Sequence, residues 1–553
     1  MADAVATKEI TVDQAKPDGK LAPRVIGPKL LTEVIGTLFL TWAVGMTGGT
    51  QPTVAPLAIG GTLMAMVYAG GHISGAHYNP TVSLAVFCRG LSTPAELVLY
   101  IVAQLVGGFI GAGFAVSYQG GTDKLGCPTF GGDSYSVRQA CLAEFLWSLL
   151  LATVVLNVAT AKATTNNSYY GLCIGFTVVS GATAVGGVSG GAFNAAVGLA
   201  LNAVKGGDDA YKLWVYLIFP ALGGCAGGFL FRLTSPADFI NSSFRIIKDE
   251  KKADAVAAYV MEFFATFYLA LFVALGPLRA GLDPLLTAFS LFALCTTLLF
   301  TAGAASGCHM NPAVSCGLFV RFGLLGTNEK TRAVFPPMKA LIYVLCQLAA
   351  GLAAGGIGLC LLVKDELKNT QMGFPTPSLD GQKDSGAFFG EVQGVFALVY
   401  VVLNTATVRS LEGNSFFGIA IGMTIAATAF ALSDVSGGCL NPAVAMLAPI
   451  ASTLEVNKGV NFEAVWVYWI ACPLGGVLAA IIFRFTNLDE FDEAEQAKEG
   501  KPPRRYSVMT SGFEDEARQN KMMLMNDMGE KMRGFAKTIT GTVYASSTQA
   551  SAA

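Results

Sequence analysis

Long apolar stretches alternate with short polar segments along most of this chain. A helix that crosses the hydrocarbon core of a bilayer needs about 20 apolar residues. Stretches of this kind occur in two groups of six. The first group lies near 30–47, 53–71, 95–118, 136–159, 170–187 and 212–233, and the second near 256–277, 283–303, 337–363, 386–405, 415–432 and 462–485. The pattern predicts an all-α membrane protein with twelve transmembrane helices.

The composition agrees with this pattern. Of the 553 residues, 53% are hydrophobic and only 13% are charged, whereas charged residues make up about 25% of a soluble domain. A net charge of −2 argues against a nucleic-acid partner. Residues 1–28 are polar and contain no apolar core of a signal peptide, so we expect no cleaved signal. Many of the 12 cysteines lie within apolar stretches, where we expect free thiols.

The polar segments outside the two groups predict the orientation. Six spans return a chain to its starting side, so the N-terminal segment 1–28, the linker 234–255 and the flexible tail 486–553 should share one side. All three carry basic residues, which the positive-inside rule places in the cytoplasm. We therefore expect the sequons at Asn166 and Asn241 to stay unmodified. Residues 504–507 form a basic-directed kinase pattern, although an unmodified tail is the favoured interpretation.

Four short segments resemble one another, and each follows an apolar span after a turn rich in glycine or serine. They are Gly75–Val82, Gly191–Val197, Gly307–Val314 and Gly437–Val444. Each opens an apolar stretch of about ten residues, which is too short to cross a bilayer. Asparagine is a strong helix cap and proline suits the first helical turn. The segments therefore predict loops that enter the membrane and start half-helices there, as at the midplane sites of inverted repeats.

With these segments the chain resembles the major intrinsic protein family, which contains the aquaporins and aquaglyceroporins. The resemblance rests on Ser74–Pro80 and on two intact Asn-Pro-Ala boxes. It covers residues 29–233 (unit 1) and 256–485 (unit 2) and implies a tandem aquaporin fold with twelve spans and four re-entrant half-helices. The boxes fall at Asn79, Pro80, Thr81; Asn194, Ala195, Ala196; Asn311, Pro312, Ala313; and Asn441, Pro442, Ala443.

The resemblance also implies roles for polar residues within the spans. The family's glutamates accept hydrogen bonds from the re-entrant loops, and a proton relay is the less favoured alternative. The three histidines, His72, His77 and His309, should make structural hydrogen bonds rather than bind a metal, with pH gating as an alternative. We expect no cofactor. The residues that match the family's loop-supporting glutamates and glutamines are Glu33, Glu144, Glu262, Glu391, Gln104 and Gln347.

The family's pore further implies how selectivity would arise. Box asparagines donate to a passing water, and the half-helix dipoles oppose cations. This barrier does not need proline, so Thr81 and Ala195-Ala196 should preserve it, although the helix start at Ala195 should be looser. The constriction positions are Ile59, Ala182, Gly191 and Val197 in unit 1, and Leu291, Ala429, Gly438 and Val444 in unit 2. The family usually has arginine in place of Val197 and Val444.

An aliphatic constriction predicts a wide pore for neutral solutes such as glycerol, urea, ammonia or hydrogen peroxide, and closure by dewetting is the opposing possibility. The leading hypothesis is thus a passive channel with two pores and no enzymatic activity. A weakly conducting structural or assembly protein is the alternative, and a secondary transporter is less favoured. The family is usually tetrameric, so we expect a homodimer of this chain in the bilayer. The sequence leaves open whether the membrane is the plasma membrane or an internal one.

Overall fold

The computed structural model describes residues 23–49, 51, 53–129, 135–206, 213–240, 242–275, 283–362, 384–448 and 465–491. All of its regular elements are helices. The first half contains α1 Pro23–Thr47, α2 Ala55–Ser74, α3 Pro80–Arg89, α4 Pro94–Gln119, α5 Val137–Val155, α6 Tyr170–Ser189, α7 Ala195–Lys205 and α8 Leu213–Thr234. The second contains α9 Glu250–Leu275, α10 Pro284–Ser306, α11 Pro312–Phe319, α12 Glu329–Arg332, α13 Pro337–Leu361, α14 Asp384–Ala406, α15 Phe417–Ala431, α16 Ser433–Ser436 and α17 Trp466–Thr486.

Eleven of the described helices are long and apolar enough to cross a membrane. The stretch predicted as the eleventh span, 415–432, forms a shorter helix instead. α15 has 15 residues and ends at Ala431, after which Leu432 leaves the helical conformation and α16 forms a single turn. Its counterpart in the first half, α6, runs unbroken for 20 residues. At about 1.5 Å per residue, α15 alone spans about 22 Å, which is less than the hydrocarbon core.

Short helices begin after three of the four predicted boxes. They are α3, α7 and α11, which have 10, 11 and 8 residues. After the fourth box the described residues show a 3₁₀ turn at Val444–Met446 followed by helical residues at 447–448, and the rest of the predicted half-helix lies outside the described residues. Asn166 is exposed between α5 and α6, whereas Asn241 and the tail pattern at 504–507 are not among the described residues.

Glycines let the helices of each unit approach closely. A methyl group built on Gly107 of α4 would lie 2.2 Å from the carbonyl oxygen of Val34 in α1. One built on Gly224 of α8 would lie 2.4 Å from the carbonyl oxygen of Thr81 in α3. Since real Cβ atoms do not come so near, these positions require glycine. Small residues at packing contacts are typical of helices that associate within membranes.

Buried ion pairs fix the C-terminal ends of α3 and of the π-helical turn that extends α11. Arg89 donates from Nη2 to Asp238 Oδ1 at 2.6 Å and to the carbonyl oxygen of Thr160 at 2.7 Å. Arg321 of the second half donates in the same way to Glu490 Oε2 at 3.2 Å and to the carbonyl oxygen of Thr407 at 2.9 Å. Each short helix is thereby tied to the end of the fourth long helix of its unit and to the segment after the sixth.

The two halves pack through α5 and α6 against α9 and α10. The hydroxyls of Thr183 and Ser290 lie 2.8 Å apart, and the Tyr268 hydroxyl donates to the carbonyl oxygen of Leu146 at 2.5 Å. The rings of Tyr169 and Phe300 stack with centroids 3.8 Å apart. The four helices are largely buried, because 72–83% of the residues in the most apolar part of each lie inside the structure. The interface between the units therefore resembles a protein core.

Candidate functional site

Among the described residues, each half of the molecule contains two fully buried carboxylates, which belong to α1, α5, α9 and α14. Glu33 accepts hydrogen bonds at Oε1 from the Ser74 hydroxyl at 2.6 Å and from the backbone N–H of His77 at 3.0 Å. Its Oε2 accepts from the backbone N–H of Tyr78 at 2.6 Å and from Gln104 Nε2 at 2.8 Å. One carboxylate thus binds a loop from three points and a neighbouring helix from a fourth.

The other three carboxylates repeat this arrangement. Glu262 accepts from Ser306, His309, Met310 and Gln347 at 2.7, 2.8, 3.0 and 2.9 Å. Glu144 accepts from Ser189, Ala192 and Phe193 at 2.7, 3.0 and 2.8 Å. Glu391 accepts from Ser436, Cys439 and Leu440 at 2.6, 3.0 and 2.7 Å, and from the thiol of Cys472 at 3.4 Å. The structure places every predicted glutamate against the loop that precedes a box. Gln104 and Gln347 instead bond to the carboxylates of Glu33 and Glu262 and to Ser83 and Ser315 of the short helices.

The residue before each box asparagine adopts a left-handed backbone conformation. Tyr78, Phe193, Met310 and Leu440 have φ of 48°, 48°, 53° and 55°. Residues other than glycine rarely adopt this conformation, and holding one there costs about 1–3 kcal/mol. The backbone N–H of each is bound by a buried carboxylate. The carboxylates therefore offset the strain of the loops.

The four box asparagines connect the loops in pairs. Asn79 Nδ2 donates to the carbonyl oxygen of Phe193 at 2.8 Å, and Asn194 Nδ2 donates to that of Tyr78 at 2.9 Å. In the second half, Asn311 donates to Leu440 at 2.7 Å and Asn441 donates to Met310 at 2.8 Å. Each strained residue is thus held at its N–H by a glutamate and at its carbonyl by the asparagine of the opposite loop. Sequence reasoning did not find this reciprocal contact.

Each asparagine also caps the helical turn that follows it. The side-chain oxygen of Asn79 accepts from the backbone N–H of Thr81, and those of Asn311 and Asn441 accept from Ala313 and Ala443, all at 2.9 Å. Asn194 accepts from both Ala196 and Val197, at 3.0 and 3.4 Å. The unusual box with Ala195 therefore starts its helix with the same cap as the others.

Four tyrosines support the loops from the third and sixth long helices of each half, and sequence reasoning missed them as well. The hydroxyls of Tyr100, Tyr216 and Tyr343 each donate at 2.7 Å to the backbone carbonyl of Ser74, Ser189 and Ser306, the serines whose hydroxyls bind the carboxylates. Tyr468 makes the equivalent bond to Ser436. A sequence signal exists, because each tyrosine lies about one helical turn before Gln104, Pro220, Gln347 or Pro473.

Two of the three histidines bond to the short helices. His77 Nδ1 lies 3.0 Å from the Ser83 hydroxyl, and His309 Nδ1 lies 2.9 Å from that of Ser315. His72 is exposed at the end of α2. Within the described part of the chain, no group of three or more His, Cys, Asp or Glu residues is arranged to hold a metal ion.

The predicted constriction residues of unit 2 line one cavity of about 430 Å³ together with Asn311 and Asn441. A methyl group built on Gly438 would lie 2.3 Å from the carbonyl oxygen of Ala429. Side chains from α9, α14 and α15 make most of the remaining wall apolar. The four constriction residues in this cavity are Leu291, Ala429, Gly438 and Val444.

Of the equivalent residues of unit 1, the structure brings Gly191 and Ala182 together. A methyl group built on Gly191 would lie 3.5 Å from the Cα of Ala182. Val197 is buried in the first turn of α7, and Ile59 is half-buried on α2. No arginine occupies either predicted constriction, as the sequence shows.

Within a bundle of long apolar helices, the loops carry asparagines that cap the following helical turns and bond in pairs to the opposite loops. This arrangement defines the protein as an integral, multi-pass membrane channel. The sequence model of the family described as "Major intrinsic protein" matches residues 24–231 and again 249–483. The chain therefore belongs to the major intrinsic protein family, carries two of its units in tandem, and is not an enzyme.

Curated relatives each match about one unit. "Aquaporin NIP1-1" of Zea mays is 30% identical over 242 residues, which cover 42% of this chain and 84% of that protein. "Probable aquaporin NIP4-2" of Arabidopsis thaliana is 34% identical over 241 residues, covering 39% and 81%. "Nodulin-26" of Glycine max is 30% identical over 219 residues, covering 38% and 79%. A solved structure, the aquaglyceroporin from Plasmodium falciparum, aligns at 21% identity with a TM-score of 0.35 and covers 37% of this chain and 94% of that one.

Proposed function

We propose that each unit forms a passive pore for water and small neutral solutes, among them glycerol, urea, ammonia and hydrogen peroxide, and excludes protons and ions. The crossed asparagine pair at an apolar cavity is the observation that carries this proposal. A cavity of this volume suits small solutes, and its few polar groups are concentrated at the asparagines and the two loops.

The asparagine pair supports a barrier to protons. A primary amide has two N–H donors, and one donor of Asn311 and of Asn441 is used by the opposite loop. The second N–H of each amide is left to donate to a molecule between them. A water that accepts two such bonds has no lone pair for a proton from its neighbour. The N-terminal end of α11, and that of the half-helix proposed after Asn441, add positive potential at the same point.

The constriction supports passage of solutes larger than water. Selectivity in such pores depends on diameter, lining donors and electrostatic barriers. The four residues in unit 2 are aliphatic or glycine, and none adds a charge or a donor side chain. We propose the same role for the four equivalent residues of unit 1.

The test is osmotic volume change of proteoliposomes followed by light scattering. Water, glycerol and urea gradients are applied in turn, with empty liposomes as the control. Solute entry well above the control supports the wide aliphatic constriction. Rapid water flow without solute entry contradicts the assigned constriction but not the channel.

A second candidate function is a structural or assembly membrane protein that conducts weakly. The aliphatic constriction favours it, because a hydrophobic ring can close a pore by dewetting. The same liposome assay separates the two functions, since this candidate requires all three permeabilities to stay at the level of empty liposomes.

We further propose that the chain has twelve spans and four re-entrant half-helices, with both termini in the cytoplasm. α15 together with the turn α16 would form the eleventh span, since they jointly match the position of α6. The short helices after the boxes would lie within the bilayer, where the buried carboxylates and asparagines satisfy their irregular loops. Sugar on Asn166 or Asn241 would contradict this topology.

The exposed faces of the chain support a homodimer. In the apolar parts of α9 and α10, which lie at the unit interface, 72% of the residues are buried. In the equivalent helices of unit 1, α1 and α2, only 39% and 28% are buried. The surface that α6 of unit 1 uses at the unit interface has a counterpart on α15 of unit 2, and this counterpart is exposed as well. Phe176 of α6 contacts Phe289 and Phe292 across the unit interface, and its counterpart Met423 on α15 is 48% exposed. A twofold axis would place each α15 against the α2 of a second copy, giving four units.

A further inference from the structure

Two cysteines of unit 1 face each other where the short helix α3 packs on α8. The side chains of Cys88 and Cys225 are close enough to interact. The helices are in close contact here, since a methyl group built on Gly228, one turn after Cys225, would lie 2.5 Å from the Cβ of Cys88. The backbone therefore holds the two thiols together.

Both thiols are partly accessible. Cys88 and Cys225 have intermediate exposure, whereas Cys173, Cys295, Cys308, Cys439 and Cys472 are buried. Oxidation of cysteine requires access of the oxidant to the sulfur. The pair thus combines proximity with partial exposure at the protein surface, whereas the five other thiols named here are buried.

The pair lies near the polar end of α3. Arg232 of α8 donates to the backbone carbonyl of Cys88, and the next residue, Arg89, forms the buried ion pair with Asp238. The Arg89–Asp238 pair and the Arg232 contact anchor this end of α3 to α8 and to the segment behind it. A covalent bond between the two cysteines would therefore join elements that are already in register.

The second unit does not carry this pair. Val320 stands as far beyond Asn311 as Cys88 stands beyond Asn79, and Leu478 stands as far beyond Pro473 as Cys225 stands beyond Pro220. The architecture common to both units is therefore compatible with apolar side chains at both positions. The two thiols distinguish unit 1 from unit 2.

We propose that Cys88 and Cys225 form a reversible redox modification site of unit 1, in which hydrogen peroxide converts the two thiols into a disulfide between α3 and α8. One thiol attacks the peroxide, the O–O bond breaks, and a sulfenic acid and one water form. The second thiol attacks the sulfenic sulfur, the S–S bond forms, and a second water leaves. Thiol reductants of a reducing compartment reverse the reaction.

The disulfide would restrain the helix that Asn79 starts. Asn79 caps the N-terminal end of α3, and the disulfide would link the helix covalently to α8 near its C-terminal end. The site does not depend on whether peroxide crosses either pore, so it can be tested apart from the transport function.

The test uses the purified full-length chain in lipid nanodiscs. The protein is treated with hydrogen peroxide, blocked with N-ethylmaleimide under denaturing conditions, digested and analysed by mass spectrometry. We expect a peptide pair linked through Cys88 and Cys225, which dithiothreitol converts back to two free thiols. Recovery of both cysteines as maleimide adducts after peroxide would overturn the proposal, as would links among other cysteines in place of this one.

Single serine variants test the order of the steps. Cys88→Ser and Cys225→Ser should each abolish the link, and in at least one of them the remaining thiol should give a sulfenic acid that dimedone traps. The exposed Cys360 serves as the accessibility control within the same chain. Dimedone labelling of Cys360 alone, with neither partner labelled in either variant, would contradict a paired site. The wild-type result does not rely on the folding of these variants.

Discussion

At the scale of single residues, the loops depend on buried carboxylates that each accept bonds from several donors. Glu262 alone accepts four, from one hydroxyl, two backbone N–H groups and one amide. A buried donor that loses its acceptor costs about 1–3 kcal/mol. The residue is also what keeps Met310 in its left-handed conformation. One side chain therefore determines the geometry of a whole loop.

We expect Glu262→Ala to lower the free energy of unfolding by about 3 kcal/mol or more, because it leaves buried donors without an acceptor. The measurement is the thermal unfolding midpoint in detergent. Asp123→Ala, at an exposed site, is the matched control and should leave the midpoint unchanged. Equal midpoints for both variants would mean that the carboxylate does not support the loop.

A second residue-scale prediction concerns the constriction. Val444→Arg, combined with Val197→Arg, adds a charged donor to each ring and narrows it, so glycerol permeability should fall about tenfold or more, equivalent to about 1.4 kcal/mol in barrier height. Water permeability should fall much less. The same stopped-flow assay measures both. Unchanged glycerol entry would show that these valines do not line the narrowest part of the pore.

The sequence could predict that the glutamates accept hydrogen bonds from the loops, but not that each box asparagine bonds to the opposite loop. The boxes and glutamates stand at repeated positions, so their grouping follows from the pattern. The bond from Asn79 to Phe193 joins residues 114 positions apart, and its acceptor is a backbone carbonyl. Every residue has a backbone carbonyl, so the identity of Phe193 does not indicate that it accepts this bond, and only the folded geometry shows it.

At the scale of elements, the start of α7 shows that the cap matters more than the proline. Asn194 accepts from two backbone N–H groups, whereas Asn79, Asn311 and Asn441 each accept from one. A cap is worth about 1 kcal/mol, whereas proline in a compatible position adds about 0.4–1 kcal/mol through the unfolded chain.

We therefore expect Ala195→Pro to raise the free energy of unfolding by about 0.5 kcal/mol and to leave permeability unchanged. Pro312→Ala, at the equivalent position of α11, is the reverse experiment and should lower it by a similar amount. Thermal unfolding of both variants checks the pair. A large loss of stability in Ala195→Pro would mean that the backbone there cannot accept proline.

The break after α15 is a feature that the local sequence did not predict. α6 carries Gly186-Gly187 at the positions of Ser433-Asp434, yet α6 is unbroken although glycine is the poorer helix former. In the second half, the Ser433 hydroxyl donates to the carbonyl of Phe430 at 3.0 Å, and the chain turns at Leu432. Serine side chains compete with the backbone in this way, and the outcome depends on surroundings that a propensity scale omits.

At the scale of the whole molecule, the interface between the units predicts which surface a second chain would bind. Gly175 packs against the backbone of Gly60 within unit 1, and Gly422 packs in the same way against that of Phe292 within unit 2. Because the units are built alike, the surface that α6 offers to α10 is repeated on α15. The membrane, or a second copy, must cover it.

We expect a homodimer, and Met423→Glu should convert it to single chains because it places a charge in the proposed interface. Leu222→Glu, on the 50% exposed side chain of α8, is the matched control and should leave the dimer intact. Native mass spectrometry from nanodiscs measures the state of each. A wild-type mass of one chain, or of four, would contradict the proposal.

The central claim is that one chain holds two conducting pores, and it is tested most directly by closing each pore separately. Glycerol permeability is measured in proteoliposomes for the wild type, Ala182→Trp, Ala429→Trp and the double variant, at equal protein content. Each substitution places a large ring in one constriction. The account predicts that each single variant keeps part of the wild-type permeability and that the double variant falls to the level of empty liposomes. Wild-type permeability in the double variant, or no permeability in the wild type, would contradict it.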